Sequence, residues 1–547
     1  PELLEKGLLG CIITPIVKVF KGDTVIQQFY NLNDFEKWNE QNTGNYRIKY
    51  YKGLGTSDAK EAKEYFKNLA QNKINYIFDK NEDLLSIERT FEKKKTNERK
   101  EWILNYLANK QEVDYNQKNI SIKYFIDREL VQFSVYDGIR SIPNIIDGLK
   151  PSQRKILYGC LKKNLFKKAD KSGEIKVAQL SGYISEVSGY HHGEESLQGT
   201  IVKMAQDFVG SGNINILEPK GNFGSRLMGG EDASSARYIF THLKDIVKII
   251  YNEHDNRLLN YIESEGHIIE PEFYVPIIPM ILVNGSVGIG TGWSTDIPCF
   301  NPIDIIDNIK LLMKNENIKP MVPYYKGFKG TIDKINDVSW STQGNFKIVD
   351  KTVYVTELPI GLWTEDFKKL LNKLIEQERI KTFSANGDTN EVNFVIKLEE
   401  TMNENDVIEL FELKNKISTT NLVAFDENHQ IVKYDSVDDI LWTFYSYRLK
   451  FYEKRRLFLI KTLEDDISLF TEKLRFINMV INDEIVVFKR KKADIIVELE
   501  KHNFKNVSEL IIMTIDKFTI DEIDKLKDKI EKLQNELNCL KSKTDKD

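Results

Sequence analysis

The sequence predicts a multidomain α+β protein, on three observations. Its 547 residues exceed what a single hydrophobic core holds, so three or more domains are expected. Residues 1 to about 110 and 275 to 435 alternate short apolar strands with helices, and they flank a mostly helical stretch from about 120 to 270. After Asp435 the chain changes character, and residues 436–470 run without Gly or Pro.

The elements follow in order. CIITPIVKVF and YRIKYY read as strands, SDAKEAKEYFKNLAQNK as a helix, and FEKKKTNERKEWILNYLANKQEVD as helix plus linker. In GLKPSQRKILYGCLKKNLFKK, Pro151 suits a helix's first turn, and a second helix begins near Val177. Gly-rich turns fall at KGNFGS and MGGED, and loops at NGSVGIGTGWST and TELPIGLW. Ser436 and Asp439 can cap the long helix that follows. Near the end Ile523, Leu526, Ile530, Leu533, Leu537 and Leu540 step by 3, 4, 3, 4, 3 behind a Thr519–Glu522 capping box. Two long helices around a compact region can fold back as an antiparallel arm; alternatively the last helix lies on its own domain's core.

Composition excludes several classes. A formal net charge of -5 means that any nucleic-acid surface must be local. The most apolar run, YVPIIPMILVNG, is too short for a membrane span and holds two prolines. Cys11, Cys160, Cys299 and Cys539 lie far apart and form no CxxC pair, which argues for reduced thiols in a cell, without disulfides or a zinc site. The start PELLEK, with no Met and no signal peptide, and the end within a charged helical pattern read as a piece of a larger protein.

Three segments can carry chemistry. Lys150, Arg154, Lys155, Lys162, Lys163, Lys167 and Lys168 make a positive helix–turn–helix region of the kind that meets phosphates, or else a solvated face. In SGYHHGEESLQGT the adjacent histidines are a poor metal pair, but one can donate to a phosphate oxygen if it is not a core residue. In GGEDASSARYIF two glycines and four small residues precede Arg237 and Tyr238. A phenol is a reluctant nucleophile at neutral pH unless a cation stabilises the developing charge. Here the small residues would let a nucleic-acid backbone approach, and Gly229 and Gly230 would bend the chain toward it. Alternatively Tyr238 is half-buried packing, as most tyrosines are. NGSVGIGTGWSTDIPCFNP is no dinucleotide loop, because Pro298 and Pro302 forbid the helix such a loop must open; its glycines would admit a ligand backbone and expose Ile289.

SIPNIIDGLKPSQRKILYG, KVAQLSGYISEVSGYHHGE, GNFGSRLMGGEDASSARYIFTHL and PIIPMILVNGSVGIGTGWST, in that order, closely resemble the breakage-reunion core of type IIA DNA topoisomerases. YYKGLGTSDAKEAKEYF is similar to late TOPRIM sequence, and HHGE and GGEDASSARYIF resemble the eukaryotic and large-virus topoisomerase II branch. The resemblance implies four domains: the C-terminal part of TOPRIM plus linker at 1–112, a winged-helix domain with the tyrosine at 113–270, an α/β tower domain at 271–435, and a coiled-coil arm with C-terminal dimer gate at 436–547. It implies that Tyr238 attacks DNA and becomes linked to a 5′ phosphate, that Arg237 stabilises the transition state, and that His192 and Arg154 support the scissile phosphate. Arg99, Lys100, Lys150, Tyr190, Lys52 and Lys155 fall at DNA-contacting positions, and Ile289 matches the wedge that kinks the duplex.

The resemblance further implies double-stranded DNA as partner, a homodimer and no membrane. It implies Mg2+, with its ligands upstream of this chain, and ATP, bound elsewhere in the intact protein and not by this piece. Cut off from those acids, the piece is expected to bind and bend DNA and dimerise but to cleave poorly. The location would be the nucleus if cellular, and a cytoplasmic viral factory or host nucleus if viral. Two other readings stay open: a gyrase-like supercoiling enzyme, and a non-catalytic DNA-binding dimer.

Overall fold

The computed structural model describes residues 2–51, 56–111, 113–115, 117–166, 173–264, 266–544 and 546. Lys52, Lys167 and Lys168, expected at the DNA surface, lie outside the described residues.

The N-terminal part mixes strands and helices, as the sequence pattern predicts. Val17–Lys21 is the centre strand of an antiparallel sheet, between Thr24–Phe29 and Arg47–Tyr50, and buries Val17 and Val19 against Phe29 and Phe35. Asp58 caps the helix Ala59–Lys67 through a reciprocal capping box with Glu61. The charged segment forms the helix Thr96–Asn109. A nearly unbroken helical run, with a π turn at Ile126–Leu130, ends in the helix Val131–Ser141.

Three 12-residue helices, Pro151–Lys162, Val177–Ser188 and Glu194–Ala205, pack around Ile156, Leu157, Cys160, Leu180, Ile184, Leu197 and Ile201. Their apolar residues recur three and four apart, which gives each helix one face for the shared core. Pro151 stands in the first turn as expected. The expectation of a mostly helical region fails at residues 206–245, which are turns and short bridges. Side-chain amides do there what a helix ladder would do. Asn213 donates to the carbonyls of Val283, Phe300 and Tyr324, Asn215 to those of Ala205 and Leu217, and Gln206 to those of Phe223 and Gly230.

Farther along, a three-stranded sheet (Thr331–Asn336, Ser339–Gln343, Lys414–Ser418) adjoins a four-stranded one in the order Phe346–Val349, Thr352–Val355, Phe394–Leu398, Ile380–Ala385. The amphipathic helix Thr364–Glu376 lays Phe367 and Leu371 on the second sheet, edge-on to Phe394.

The helix Val437–Ile481 is 45 residues long, about 68 Å at 1.5 Å per residue, and begins with the expected Ser436–Asp439 capping box. Its base is tied down where Asp255 receives both Arg448 and Arg455. The helix Ile520–Ser542 returns antiparallel to it: Ile523 and Leu526 meet Ile477, Lys529 lies over Phe470, and Lys541 pairs with Glu464. The heptad seam therefore serves the arm. Thr519 caps the returning helix by accepting from the Glu522 N–H, but the reciprocal half of that box does not form. Between the helices, Phe476, Met479, Ile485, Ile495, Leu499, Phe504 and Leu510 make a small separate core.

Candidate functional site

Arg237 and Tyr238 stand on a tight turn closed by the Tyr238 N–H donating to the Ser235 carbonyl at 2.9 Å. The carbonyls of Ala236 and Ile239 accept from the N–H groups of Ala178 and Val177, at 3.1 and 3.0 Å. Those N–H groups open the helix Val177–Ser188 and have no partner within it, so the turn caps the helix and the helix fixes the turn. Ile239 is buried, which drives its neighbour outward: Tyr238 is 69% exposed. The Arg237 guanidinium lies 5.4 Å from the Tyr238 ring centre and its Nε donates to Ser235 Oγ at 3.4 Å. Tyr238 is thus no packing residue, and a cation stands beside it.

The two glycines ahead of the pair are held close against protein. A β-carbon at Gly229 would fall 2.4 Å from the Trp363 indole nitrogen, and one at Gly230 would fall 2.3 Å from Gln206 Nε2. Both glycines have positive φ, 60° and 87°. Their bareness lets the loop fold against Trp363 and Gln206, and their positive φ turns the chain there.

His192 is exposed, held between two rings. Its Nε2 hydrogen bonds Tyr136 Oη at 2.5 Å, and Tyr190 meets it edge-on at 5.4 Å between centres. Partial burial, then the charges of Arg140 and Lys155, hold the imidazole below its usual pKa, so it is neutral at pH 7. Arg140 follows Tyr136 by four residues on one helix, so both reach the same spot. Neither residue belongs to the motifs from which the site was expected; the helical spacing just before SIPN was the signal that could have found them. Arg140→Gln is expected to raise the His192 pKa toward the ordinary imidazole range, because removing a neighbouring cation lets the ring take its proton at higher pH. NMR titration of the ring protons checks this, and an unmoved titration would reject the assigned contact.

The basic helix does not present its cations on one side. Arg154 is 6% exposed and clamps Asp147 through Nε–Oδ2 at 2.7 Å and a second guanidinium bond at 3.0 Å. Its other hydrogen bond goes to the Leu149 carbonyl, so the guanidinium is held in the interior with Asp147 and away from the exposed His192. Lys155 is also turned inward, onto Glu270 and the Ser188 carbonyl. Lys162 and Lys163 are exposed, over the rings of Tyr158 and Tyr183. Arg99 caps a helix end, donating to the carbonyls of Arg89 and Thr90 at 2.9 and 2.7 Å.

Ile289 fits its expectation of exposure: it is 81% exposed at the end of the hairpin formed by Ser286–Ile289 and Ser294–Ile297. The flanking glycines again pack against protein. A β-carbon at Gly288 would lie 2.1 Å from the Ser141 carbonyl, and one at Gly290 would lie 3.2 Å from Gly138 Cα. Asp137 accepts from Thr291 N and Oγ1, Lys150 Nζ donates to the Val287 carbonyl at 2.7 Å, and Lys100 covers the Trp293 ring at 4.4 Å. Lys150 and Lys100 therefore clamp the hairpin that carries Ile289. Burial and the nearby Lys203 lower the Lys150 pKa. Among the described residues there is no group of three or more His, Cys, Asp or Glu side chains that could hold a metal ion. Among them, no helix is long and apolar enough to cross a membrane.

Comparison with known proteins places this geometry. A family model described as the A subunit of DNA gyrase/topoisomerase IV matches residues 140–547, and one described as the C-terminal associated domain of TOPRIM matches residues 12–138. The chain is 43% identical over 561 aligned residues to "DNA topoisomerase 2, mitochondrial" of Dictyostelium discoideum, covering 99% of this chain and 43% of that protein. It is 45% identical to "DNA topoisomerase 2" of Plasmodium falciparum (isolate K1 / Thailand), covering 92% of this chain and 36% of that protein. The chain thus spans less than half the length of these relatives. A crystal structure of the Plasmodium falciparum topoisomerase II DNA-binding, cleavage and re-ligation domain superposes with a TM-score of 0.84 at 41% identity, covering 100% of this chain and 79% of that one. The N-terminal part corresponds to the domain associated with TOPRIM, a narrower statement than the late TOPRIM sequence expected. The chain belongs to the DNA gyrase/topoisomerase IV family, within the type IIA DNA topoisomerases and on their topoisomerase II branch.

Proposed function

We propose that this chain is the breakage-reunion core of a DNA topoisomerase II. The observation that carries the reading is the outward-facing Arg237–Tyr238 pair on a turn fixed by a helix N-terminus. Tyr238 Oη attacks a backbone phosphorus and its proton passes to water. The bond from phosphorus to the 3′ oxygen breaks, that oxygen leaves and takes up a proton, and the 5′ phosphate stays on the tyrosine. Arg237 neutralises charge developing on the phosphate, and the neutral His192 donates an N–H to it, while Tyr190 holds the imidazole edge-on. Resealing is the reverse step and needs no outside energy, because the phosphotyrosyl ester replaces a phosphodiester.

Residues 113–270 are read as a winged-helix domain, 271–435 as a tower and 436–547 as a coiled-coil arm. Phe488, Ile512, Ile515 and Ile520, all exposed beside the small core of the arm, are the face where a second copy would close a gate. In the intact enzyme magnesium would assist the cleavage and ATP would drive passage of the second duplex. A denaturant-trapped covalent adduct with DNA, lost in Tyr238→Phe, tests the reading.

Ile289 is read as a wedge. Opening a stacked base step costs about a few kcal/mol, offset by the protein that a bent duplex can touch. A side chain can do this only from a stiff base, which the Asp137, Lys150 and Lys100 contacts supply. Ile289→Ala is expected to leave bound DNA straighter, measured as energy transfer between dyes at the duplex ends, with no loss of folded structure. An unchanged bend would reject the wedge.

A further inference from the structure

We infer that the segment Glu357–Glu365, which lies outside the helical part carrying the tyrosine, sets where Tyr238 stands, and that Arg226, Glu357 and Trp363 are positioning residues for its reaction. The inference rests on the phosphotyrosyl reading above.

Residues 222–234 form a closed loop that runs directly into the catalytic turn. The Ser234 N–H donates to the Asn222 carbonyl at 2.9 Å and closes its neck. Inside, Ser225 N and Oγ donate to the Asp232 carboxylate at 2.8 and 2.6 Å, and the Gly230 N–H donates to the Ser225 carbonyl at 2.8 Å. Gly224 and Gly230 are pressed together: a β-carbon at Gly224 would lie 2.4 Å from the Gly230 carbonyl oxygen. A loop tied this closely through its own middle moves as a body.

That body is gripped from two sides. On one side Gln206, just past its helix, donates to the Phe223 and Gly230 carbonyls at 2.9 and 3.2 Å. On the other, Arg226 reaches Glu357 in a buried ion pair, the two residues being 7% and 1% exposed. Glu357 also accepts from the N–H groups of Leu358 and Lys329, at 2.9 and 3.2 Å, so its carboxylate has one allowed position. The Glu365 N–H donates to the Leu227 carbonyl at 2.9 Å, and Trp363 sits in the space a side chain at Gly229 would need. Trp363 is itself fixed edge-on against Phe208, with ring centres 5.8 Å apart.

The consequence lies four residues on. Tyr238 hangs between two anchors, the N-terminus of the helix Val177–Ser188 and the neck of this loop at Ser234. A shift of Glu357–Glu365 moves the loop and pulls on only one of the two anchors. The tyrosine then rotates relative to its phosphate while the rest of the DNA-facing surface, including the hairpin of Ile289, stays where it was. A buried ion pair adds little to stability over apolar residues of the same size, but it holds a bonded direction that apolar contacts do not.

The test uses the full-length enzyme that carries this chain, comparing wild type, Tyr238→Phe, Glu357→Gln, Trp363→Phe, Arg226→Lys and Arg226→Met. Trapped adduct is measured at saturating DNA, beside DNA affinity and hydrogen exchange across residues 206–245. Since a misplacement of 1 Å can cost a reaction about 100-fold, Glu357→Gln is expected to lower adduct by about tenfold or more with DNA affinity unchanged. Arg226→Lys should retain more adduct than Arg226→Met. Trp363→Phe leaves no buried charge alone, so it should lower adduct without loss of exchange protection. Normal adduct in both Glu357→Gln and Trp363→Phe would overturn the inference, and so would losses matched in both variants by lost DNA affinity or lost protection. Absence of adduct in the wild type would overturn the phosphotyrosyl reading instead.

Discussion

Tyr238→Phe in the full-length enzyme is expected to yield no covalent protein–DNA adduct and no strand passage, while folding and DNA affinity stay as they were. Removing the attacking atom of an enzyme lowers turnover on the order of 10^4- to 10^6-fold. The other exposed hydroxyl of this turn, Ser235, is already engaged by Arg237 Nε and offers no ready substitute. The fold should not notice, because the Tyr238 side chain is 69% exposed and makes no contact that holds the core. Arg237→Ala should retain the nucleophile yet lose about 10^2- to 10^3-fold, the usual effect of removing a donor aimed at developing charge. Gel analysis after denaturant trapping reads both. Adduct surviving in Tyr238→Phe would mean that another nucleophile acts, and the reading of the turn would fail.

Arg154→Met is expected to act in the opposite way, as damage to the fold. The guanidinium is the partner of Asp147, whose carboxylate also accepts from the N–H groups of Leu149 and Tyr274, at 2.9 and 3.1 Å. Asp147 is wholly buried, so removing Arg154 strands a charge in the core; breaking such a pair costs about 3–5 kcal/mol. Hydrogen exchange across Pro151–Lys162 should accelerate, with activity falling in step at higher temperature. Arg237→Ala should leave the same exchange untouched. If Arg154→Met kept full protection and lost only cleavage, the assignment of Arg154 to the core would be wrong, and the role implied by the family resemblance would return.

Tyr238 and Arg154 also differ in how far the sequence revealed them. Local, periodic features were legible: Pro151 in a first turn, the Ser436–Asp439 cap, and the heptads from Ile523 to Leu540. Each depends on neighbours within a turn or two of backbone. Ser294–Ile297 is a strand, in keeping with the rejection of a dinucleotide loop. Pro302, however, opens the helix Pro302–Met313 instead of forbidding one, because proline fits a helix's first turn. Both Tyr238 and Ile289 are exposed, as their readings as site residues required. The destinations of the basic side chains were not legible. Arg154, Lys155 and Arg99 carry the same charge as a phosphate-binding residue, but buried carboxylates and helix-end carbonyls claimed them.

The sequence by itself therefore determined the mixed helix-and-strand class, the capped long helix and the heptads of the last one, because periodicity, caps and short-range order are written in adjacent residues. Only the tertiary structure decided what the glycines are for and which cations are free. Gly229 meets Trp363, more than a hundred residues downstream, and Arg226 meets Glu357 across a similar gap in the chain. A side chain's partner is set by which backbone passes within a few ångströms of it, and no local pattern records that distance.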